Sequence, residues 1–159
     1  MITLRRETEG DRAFLKGLYA ETRAEELDHA GLVGPAREAF LGIQFRAMTQ
    51  AYAREFPEAE RSVLEHGRED AGWMVVHRGV GEIRLVFLAV LVRFRGRGLA
   101  SEVIRGVQSR AAAVGLPLRL QVFKESRARG LYERLGFRVT GTQDLRVQME
   151  WSEGGAVSQ

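Results

Sequence analysis

The strongest constraint on the fold lies in residues 83–114, where a long apolar segment is followed by a glycine-rich turn and an amphipathic segment. Residues 83–92 carry a single charge, Arg84, and are otherwise rich in Val, Leu and Ile, which predicts a strand buried on both faces. The amphipathic segment predicts a helix that ends at Gly115 and Pro117. Its apolar face consists of Ala100, Val103, Ile104, Val107, Ala111 and Val114. A central strand is therefore followed, after a short turn, by the N-terminus of a helix.

The turn between this strand and this helix has the composition of an anion-binding site. The first backbone N–H groups of a helix lack internal partners, and the helix dipole places partial positive charge there. Gly96 and Gly98 leave the backbone accessible and allow unusual φ and ψ angles, while Arg93, Arg95 and Arg97 add formal charge. These features predict a cradle for a phosphate or pyrophosphate group. The alternative is a surface turn that only connects two elements.

Two common phosphate-binding motifs do not fit this turn. A P-loop needs a Lys after its last glycine, and no Lys follows Gly98. A dinucleotide-binding motif needs a third glycine where this chain has Ser101. The pattern that does fit is R/Q-x-x-G-x-G/A, which residues 95–100 satisfy as RGRGLA.

A second motif lies downstream, where residues 131–137 read LYERLGF. Together the two motifs resemble the acyl-CoA-binding segment and the LYxxxGF segment of the GNAT (GCN5-related) N-acetyltransferases. More narrowly, the chain resembles a bacterial GNAT subgroup with a central segment like RLxxIALxPxxRGRGIG. It departs from the family pattern at Val92, where Pro is usual, and at Ser126, where Asn is common.

Composition and length favour a single globular domain over residues 1–151, with a loose tail over residues 152–159. The chain has 159 residues, of which 45% are hydrophobic and 28% charged, and it has no Cys to form a disulfide or a thiol nucleophile. It shows no signal-peptide core and no apolar run of membrane-spanning length, which predicts a cytoplasmic protein with no membrane partner. A net charge of +3 without a basic tail argues against a nucleic-acid partner.

Periodicity and turn signals predict the remaining elements. Strands are predicted over residues 2–6, 61–64, 72–77, 117–123, 137–140 and 145–151, and helices over residues 12–27, 35–55 and 126–135. A polar loop is expected over residues 66–70. Asp11 and Ser126 are predicted to cap the helices that follow them. The last strand is expected to alternate an apolar face of Val147, Met149 and Trp151 with a polar face of Arg146, Gln148 and Glu150.

This order of elements matches the GNAT fold over nearly the whole chain. The resemblance implies an α/β (α+β) architecture with a mixed, mostly antiparallel sheet, splayed at the central strand and covered by helices on both faces. The two long helices before Pro57 are expected to wall the acceptor pocket.

The resemblance further implies transfer of an acetyl group from acetyl-CoA to an amine by direct attack, without a metal. Pantetheine is expected to pair with the backbone of Leu88, Ala89 and Val90, and an N–H near Val90 would polarise the thioester carbonyl. Ser126 is also expected at the cosubstrate site. The residues expected around the pyrophosphate are Arg95, Gly96, Arg97, Gly98, Leu99, Ala100 and Ser101.

Two catalytic roles follow from the same resemblance. Tyr132 falls on the family's tyrosine, which protonates the departing CoA thiolate; the alternative is an ordinary half-buried aromatic. The base that deprotonates the amine is less well defined. Glu82, at the start of the central strand, is the prediction, with His77 and water as alternatives.

The leading hypothesis is an N-acetyltransferase acting on a primary amine of a small molecule or peptide. The alternative is a non-catalytic acyl-CoA-binding sensor, and a nucleic-acid-binding domain is a weaker rival. The sequence leaves the acceptor and the oligomeric state open, although a homodimer is compatible with the family.

Overall fold

The computed structural model describes residues 1–155, which form a mixed α/β fold around a seven-stranded sheet. The strands are β1 (Ile2–Arg6), β2 (Glu60–His66), β3 (Glu69–Arg78), β4 (Ile83–Val90), β5 (Leu118–Phe123), β6 (Arg138–Gln143) and β7 (Arg146–Trp151). Their order is β1-β2-β3-β4-β5-β7-β6, and every neighbouring pair is antiparallel except β4 and β5. Of the predicted loose tail, residues 152–155 are described and contain a short 3-10 turn; the rest lies outside the described residues.

Four α-helices are described: α1 (Arg12–His29), α2 (Gly34–Glu55), α3 (Leu99–Val114) and α4 (Arg127–Arg134). Pro35 lies in the first turn of α2, where its missing N–H costs nothing. Gly115 ends α3 with a φ of +69°, a left-handed conformation that glycine adopts without strain. No helix within residues 1–155 is long and apolar enough to cross a membrane.

The sheet separates two apolar cores because alternate residues of β3 point to opposite faces. Trp73 and Val75 pack with side chains of α1 and α2. Met74 and Val76 pack on the other face with side chains of α3 and α4. All four are almost fully buried, and burial of side chains of this size contributes roughly 2 kcal/mol each. The predicted fold class, with helices on both faces of a mixed sheet, is confirmed.

The sheet splays between β4 and β5. These parallel strands pair over two residue pairs only, Ile83 with Leu118 and Arg84 with Arg119. A register shift between Val75 and Val76 of β3 marks an irregularity in the pairing with β4, which bends a strand locally. Beyond the two pairs the strands separate, so residues 85–90 of β4 have no strand partner on the β5 side.

Three sequence predictions about local structure were wrong. Asp11 does not cap α1 with its side chain; its carboxylate accepts hydrogen bonds from the Thr8 N–H at 2.7 Å and from Arg5 at 2.7 and 3.0 Å. The polar loop at residues 66–70 is shorter than expected, because β2 continues to His66 and β3 begins at Glu69. The predicted central strand ends at Val90, and its middle residues are only half-buried because the gap to β5 lies beside them.

The predicted alternation in β7 also fails at one position. Val147 and Met149 are buried as expected, but Glu150, predicted on the polar face, is 3% exposed. Its carboxylate accepts a hydrogen bond from Arg119 Nε at 2.7 Å, which offsets much of the cost of burying the charge.

Candidate active site

The centre of the candidate site is the segment that joins the end of β4 to α3. After Val90 the chain makes a 3-10 turn over Val92–Phe94 and then passes Gly96 and Gly98, which have φ angles of +78° and +74°. Both values lie in the left-handed region that favours glycine. A Cβ built at either glycine would meet no atom within 4 Å, so the backbone of this loop borders open space.

The N-terminus of α3 follows this loop directly. Gly98 is its N-cap residue, and because glycine has no side chain, none caps the helix. Ala100 and Ser101 lie in the first turn, where backbone N–H groups have no acceptor within the helix. The partial positive charge of the helix dipole is therefore presented to the open space beside the two glycines.

The arginines of the loop differ in how far their charges are neutralised. Arg93 pairs with Glu69 at 2.6 Å and lies over the Phe94 ring at 4.3 Å. Arg95 donates through Nε to the Val90 carbonyl at 3.2 Å, and Arg97 lies 5.5 Å from the centroid of the Phe94 ring. Within residues 1–155 neither Arg95 nor Arg97 forms an ion pair, so both charges remain available to an anion.

The β4 side of the gap presents backbone groups. The Leu91 N–H donates to the Ala71 carbonyl of β3 at 2.8 Å. Because successive backbone groups of a strand point to opposite sides, the N–H groups of Leu88 and Val90 point toward β5, where the strand pairing has ended. The backbone of Ala89 points toward β3. Of the three residues predicted to pair with pantetheine, two thus present amides to the gap.

Tyr132 lies on α4 and is 7% exposed. It belongs to the same apolar core as Val90 and Leu99, and its ring meets Phe137 edge-on at 5.4 Å between centroids. Within residues 1–155 its hydroxyl has no hydrogen-bond partner, and burial raises its pKa to about 12. The phenol is therefore protonated at neutral pH and available as a proton donor.

The start of α4 is fixed by Ser126, whose Oγ accepts a hydrogen bond from the Ala128 N–H at 3.1 Å. This confirms the predicted cap. At the other end of the LYERLGF motif, Gly136 has a φ of +94°, and a Cβ there would lie 3.2 Å from Cδ1 of Trp151. Only glycine tolerates both this φ and the close approach of Trp151 on β7, so the glycine of the motif allows α4 to pack against the sheet.

Glu82 lies at the opposite end of β4 from the glycine loop. Its carboxylate accepts hydrogen bonds from Arg84 Nε at 2.8 Å and from an Arg119 nitrogen at 3.1 Å, and Arg119 also binds the buried Glu150. We call these four residues, Glu82, Arg84, Arg119 and Glu150, the vertex cluster, because they surround the two residue pairs at which β4 and β5 meet. Burial opposes ionisation of Glu82, but the two arginines outweigh it and hold its pKa below the ordinary value. Along an extended strand, seven residues separate Ile83 from Val90 by about 23 Å.

His77, the other candidate base, lies near the end of β3 with its side chain on the α1/α2 face. Its ring contacts Phe56 at 5.1 Å between centroids, and its Nδ1 is buried without a hydrogen-bond partner within residues 1–155. It lies opposite Arg84 in the β3–β4 pairing, so it is also near the vertex rather than near Val90. The structure therefore does not bring Glu82 or His77 together with Tyr132.

Sequence reasoning missed two residues that shape the site. A Cβ at Gly72 would lie 2.3 Å from the Ala89 carbonyl oxygen, so this glycine allows β3 and β4 to approach closely beside the predicted pantetheine site. The Val92 N–H donates to Glu21 of α1 at 2.8 Å, an interaction that the usual Pro could not make. Gly72 could have been noticed as a glycine inside an otherwise apolar strand. Nothing in the sequence indicated the role of Glu21.

The loop and the gap have the properties that a pyrophosphate and its attached chain require. Open space borders two positive-φ glycines, helix N–H groups lie beside them, and unpaired strand amides continue from that point into the sheet. Residues 1–155 hold no group of three or more His, Asp or Glu side chains placed to bind a metal ion.

A family model described as "Acetyltransferase (GNAT) domain" matches residues 23–151. Among solved structures, the chain is similar to the PaiA N-acetyltransferase of Thermoplasma acidophilum in complex with coenzyme A, with a TM-score of 0.73 and 14% identity over 96% of this chain and 99% of that chain. An acetyltransferase from Thermus thermophilus has a TM-score of 0.70 and 18% identity, covering 96% and 97% of the two chains. A GNAT acetyltransferase from Elizabethkingia anophelis with acetyl-CoA bound has a TM-score of 0.63 and 15% identity, covering 95% and 97%. No curated protein matches the sequence.

These structural likenesses, all below 25% identity, establish the fold, whereas the family model spans most of the chain and includes both sequence motifs. The resemblance predicted from RGRGLA and LYERLGF is confirmed; the bacterial subgroup stays a prediction. The chain belongs to the GNAT family of acetyltransferases.

Proposed function

We propose that this GNAT protein transfers an acetyl group from acetyl-CoA to a primary amine of a small molecule or peptide by direct attack. The observation that carries the proposal is the early end of β4–β5 pairing, which leaves the Leu88 and Val90 amides open directly upstream of an uncapped helix N-terminus. An acyl thioester on a diphosphate-containing carrier needs both features in this order.

The pyrophosphate of acetyl-CoA is held by the loop and the first turn of α3. Gly96 and Gly98 allow oxygen atoms to approach the backbone, and the N–H groups of Ala100 and Ser101 donate to them. The guanidinium groups of Arg95 and Arg97 add charge that no carboxylate of the described residues neutralises. Leu99, which is buried, anchors the helix rather than contacting the ligand through its side chain.

The reaction forms a bond between the amine nitrogen and the thioester carbon and breaks the bond from that carbon to sulfur. The Val90 N–H points into the gap and is suited to donate to the carbonyl oxygen as negative charge develops. The departing thiolate, whose conjugate acid has a pKa of about 8.5, takes the hydroxyl proton of Tyr132. Because burial raises the pKa of Tyr132 to about 12, this proton transfer is uphill, and the proton that the attacking amine releases restores the phenol.

The predicted role of Glu82 as general base finds little support in its surroundings. Two arginines stabilise its ionised form, and a carboxylate with a lowered pKa is a weak base. Its position at the vertex suits it to hold β4 and β5 together. We therefore infer that the amine reaches the thioester already neutral or loses its proton to water.

The test is acetyl-CoA-dependent thiol release across a panel of polyamines, amino acids, aminoglycosides and peptides. We expect release with at least one amine, and a large loss of that activity in Tyr132→Phe. Tyr52→Phe is the matched control, since Tyr52 also has a pKa raised by burial to about 12 but lies on α2. Tight acetyl-CoA binding without release for any amine would favour the sensor alternative. Cytoplasmic location and a homodimer stay predictions.

A further inference from the structure

A cavity of about 580 Å³ lies on the α1/α2 face of the sheet. Arg61 of β2 and Trp73 of β3 contribute to its floor, Arg12 of α1 and Phe45 of α2 to its walls, and the segment after β1 to its rim. With strands about 4.8 Å apart, β2 lies about 12 Å from the middle of the gap between β4 and β5. Trp73 of the floor pairs with Ala89 of β4, but Arg12 at the start of α1 lies about 13 Å along that helix from Glu21, which binds the Val92 N–H beside the glycine loop. The charged side chains of the cavity are therefore set apart from the gap, on the β1–β2 side of the sheet.

Four charged side chains border this cavity: Glu7, Glu9, Arg12 and Arg61. Within the described part of the chain none of them forms an ion pair, although two are acidic and two are basic. Glu7 accepts a hydrogen bond from Trp73 Nε1 at 2.7 Å through one oxygen, which leaves the other oxygen free. Charges of opposite sign on one cavity that do not neutralise each other are suited to a ligand that carries both signs.

The cavity also has an apolar part. Leu15, Phe45 and Trp73 line it and are each less than 4% exposed, so they belong to the rigid core beneath. Arg12 lies over the Phe45 ring at 5.4 Å, which places a cation directly beside this apolar surface. A ligand that fits must therefore present an apolar group next to its charged groups.

The rim of the cavity is fixed before any ligand arrives. Asp11 accepts the Thr8 N–H at 2.7 Å and binds Arg5 through both carboxylate oxygens. The Arg5 guanidinium lowers the pKa of Asp11 to about 2, so this clamp persists at neutral pH. The clamp holds the segment that carries Glu7 and Glu9, which lowers the entropy lost when a ligand is bound.

We propose that this cavity is a second ligand site, which binds a small zwitterion with an apolar side chain, such as a free amino acid or a dipeptide. Its ammonium group lies against Glu7 and Glu9, its carboxylate against Arg12 and Arg61, and its side chain against Phe45 and Trp73. A volume of about 580 Å³ accommodates such a molecule together with ordered water.

The test is isothermal titration calorimetry with three probes: L-phenylalanine, 2-phenylethylamine, which lacks the carboxylate, and 3-phenylpropanoate, which lacks the ammonium group. We expect L-phenylalanine to bind roughly tenfold more tightly than either analogue, since each lost charge-assisted contact costs at least that much. Saturating CoA should leave L-phenylalanine binding in place.

Variants separate the two charged halves of the site. Arg61→Met should weaken L-phenylalanine and 3-phenylpropanoate roughly tenfold and leave 2-phenylethylamine unchanged; Glu9→Gln should weaken L-phenylalanine and 2-phenylethylamine instead. Arg12→Met, on the exposed side of α1, removes the other cation that borders the cavity and replaces Arg61→Met if that variant does not fold. Arg78→Met, an exposed arginine at the end of β3, is the control and should bind like the wild type. Absent binding of L-phenylalanine, equal binding of all three probes, or displacement by CoA would overturn the proposal.

Discussion

The two ends of the β4–β5 interface are built by opposite means. At the vertex cluster, two backbone pairs and four charged side chains close the sheet, and Glu150 is buried there with an arginine partner. At the other end, which we call the mouth and which runs from Val90 to Gly98, the chain offers glycines, unpaired amides and a helix without a side-chain cap. The contrast teaches that a gap inside a sheet requires a strongly held closed end, because only two residue pairs join β4 to β5 and the strands would otherwise separate.

The largest expected effect is at Tyr132 of α4, which shares an apolar core with Val90 of the mouth. Tyr132→Phe should lower kcat by about 10² to 10⁴-fold while changing the KM for acetyl-CoA little, because in the proposed mechanism the hydroxyl acts only when the thiolate departs. Since the pKa of Tyr132 is about 12, its proton should remain in place across neutral and mildly alkaline pH. The wild-type rate should therefore rise with pH as the amine is neutralised, without a falling limb below about pH 10. Steady-state kinetics between pH 6 and pH 10, compared with Tyr52→Phe, measure both effects; an unchanged kcat would remove Tyr132 from the mechanism.

The next effect is at the vertex. Arg119→Met removes the guanidinium that binds both Glu82 and the buried Glu150, and should lower the free energy of unfolding by about 3 kcal/mol. Denaturant titration measures it. Arg110→Met is a suitable control, because its ion pair with Glu60 is exposed and should be worth less than about 1 kcal/mol. Equal losses in both variants would mean that the vertex is no stronger than a surface pair.

A smaller effect is expected in the glycine loop. Gly98→Ala places a Cβ at a φ of +74°, which costs roughly 1 to 2 kcal/mol, and should weaken CoA binding about tenfold in calorimetry. Gly106→Ala is the matched control, because this glycine lies inside α3 and an added Cβ would touch nothing within 4 Å. It should leave the affinity unchanged and make the helix slightly more stable.

The smallest effect distinguishes a structural from a catalytic carboxylate. Glu82→Gln should lower the free energy of unfolding by about 1 kcal/mol at neutral pH and change kcat less than about threefold. Because folding lowers the pKa of Glu82, its stabilising effect is full above its ordinary value of 4.5 and is lost as pH falls through the folded value. The penalty of Glu82→Gln should therefore disappear in acid. A large kcat loss with unchanged stability would restore Glu82 as the base.

The same contrast explains which parts of the molecule could be predicted. The mouth is local in sequence, since a strand, two glycines and a helix follow one another, so the pattern of residue types reports the structure directly. The elements were likewise predicted with small errors at their ends, because apolar periodicity records which face is buried. The cap at Ser126 and the end of α3 at Gly115 were correct for the same reason.

The vertex cluster could not be predicted from local sequence patterns, because its members lie on or beside three separate strands. Glu82 and Arg84 lie by β4, Arg119 on β5 and Glu150 on β7, and only the strand order brings them together. Alternation placed Glu150 on a polar face, yet its partner on β5 allows it to be buried. The prediction for Asp11 failed for a similar reason. Its capping role was inferred from its neighbours in sequence, whereas Arg5 of β1 binds its carboxylate across the turn.

Gly72 has a consequence for how this enzyme tolerates change. In any other residue at this position, the Cβ would lie 2.3 Å from the Ala89 carbonyl oxygen. Such a group would push β4 sideways, toward β5, and so narrow the gap in which we propose that the thioester lies. A residue two dozen positions before the recognisable glycine loop thus limits how wide the gap between β4 and β5 can be.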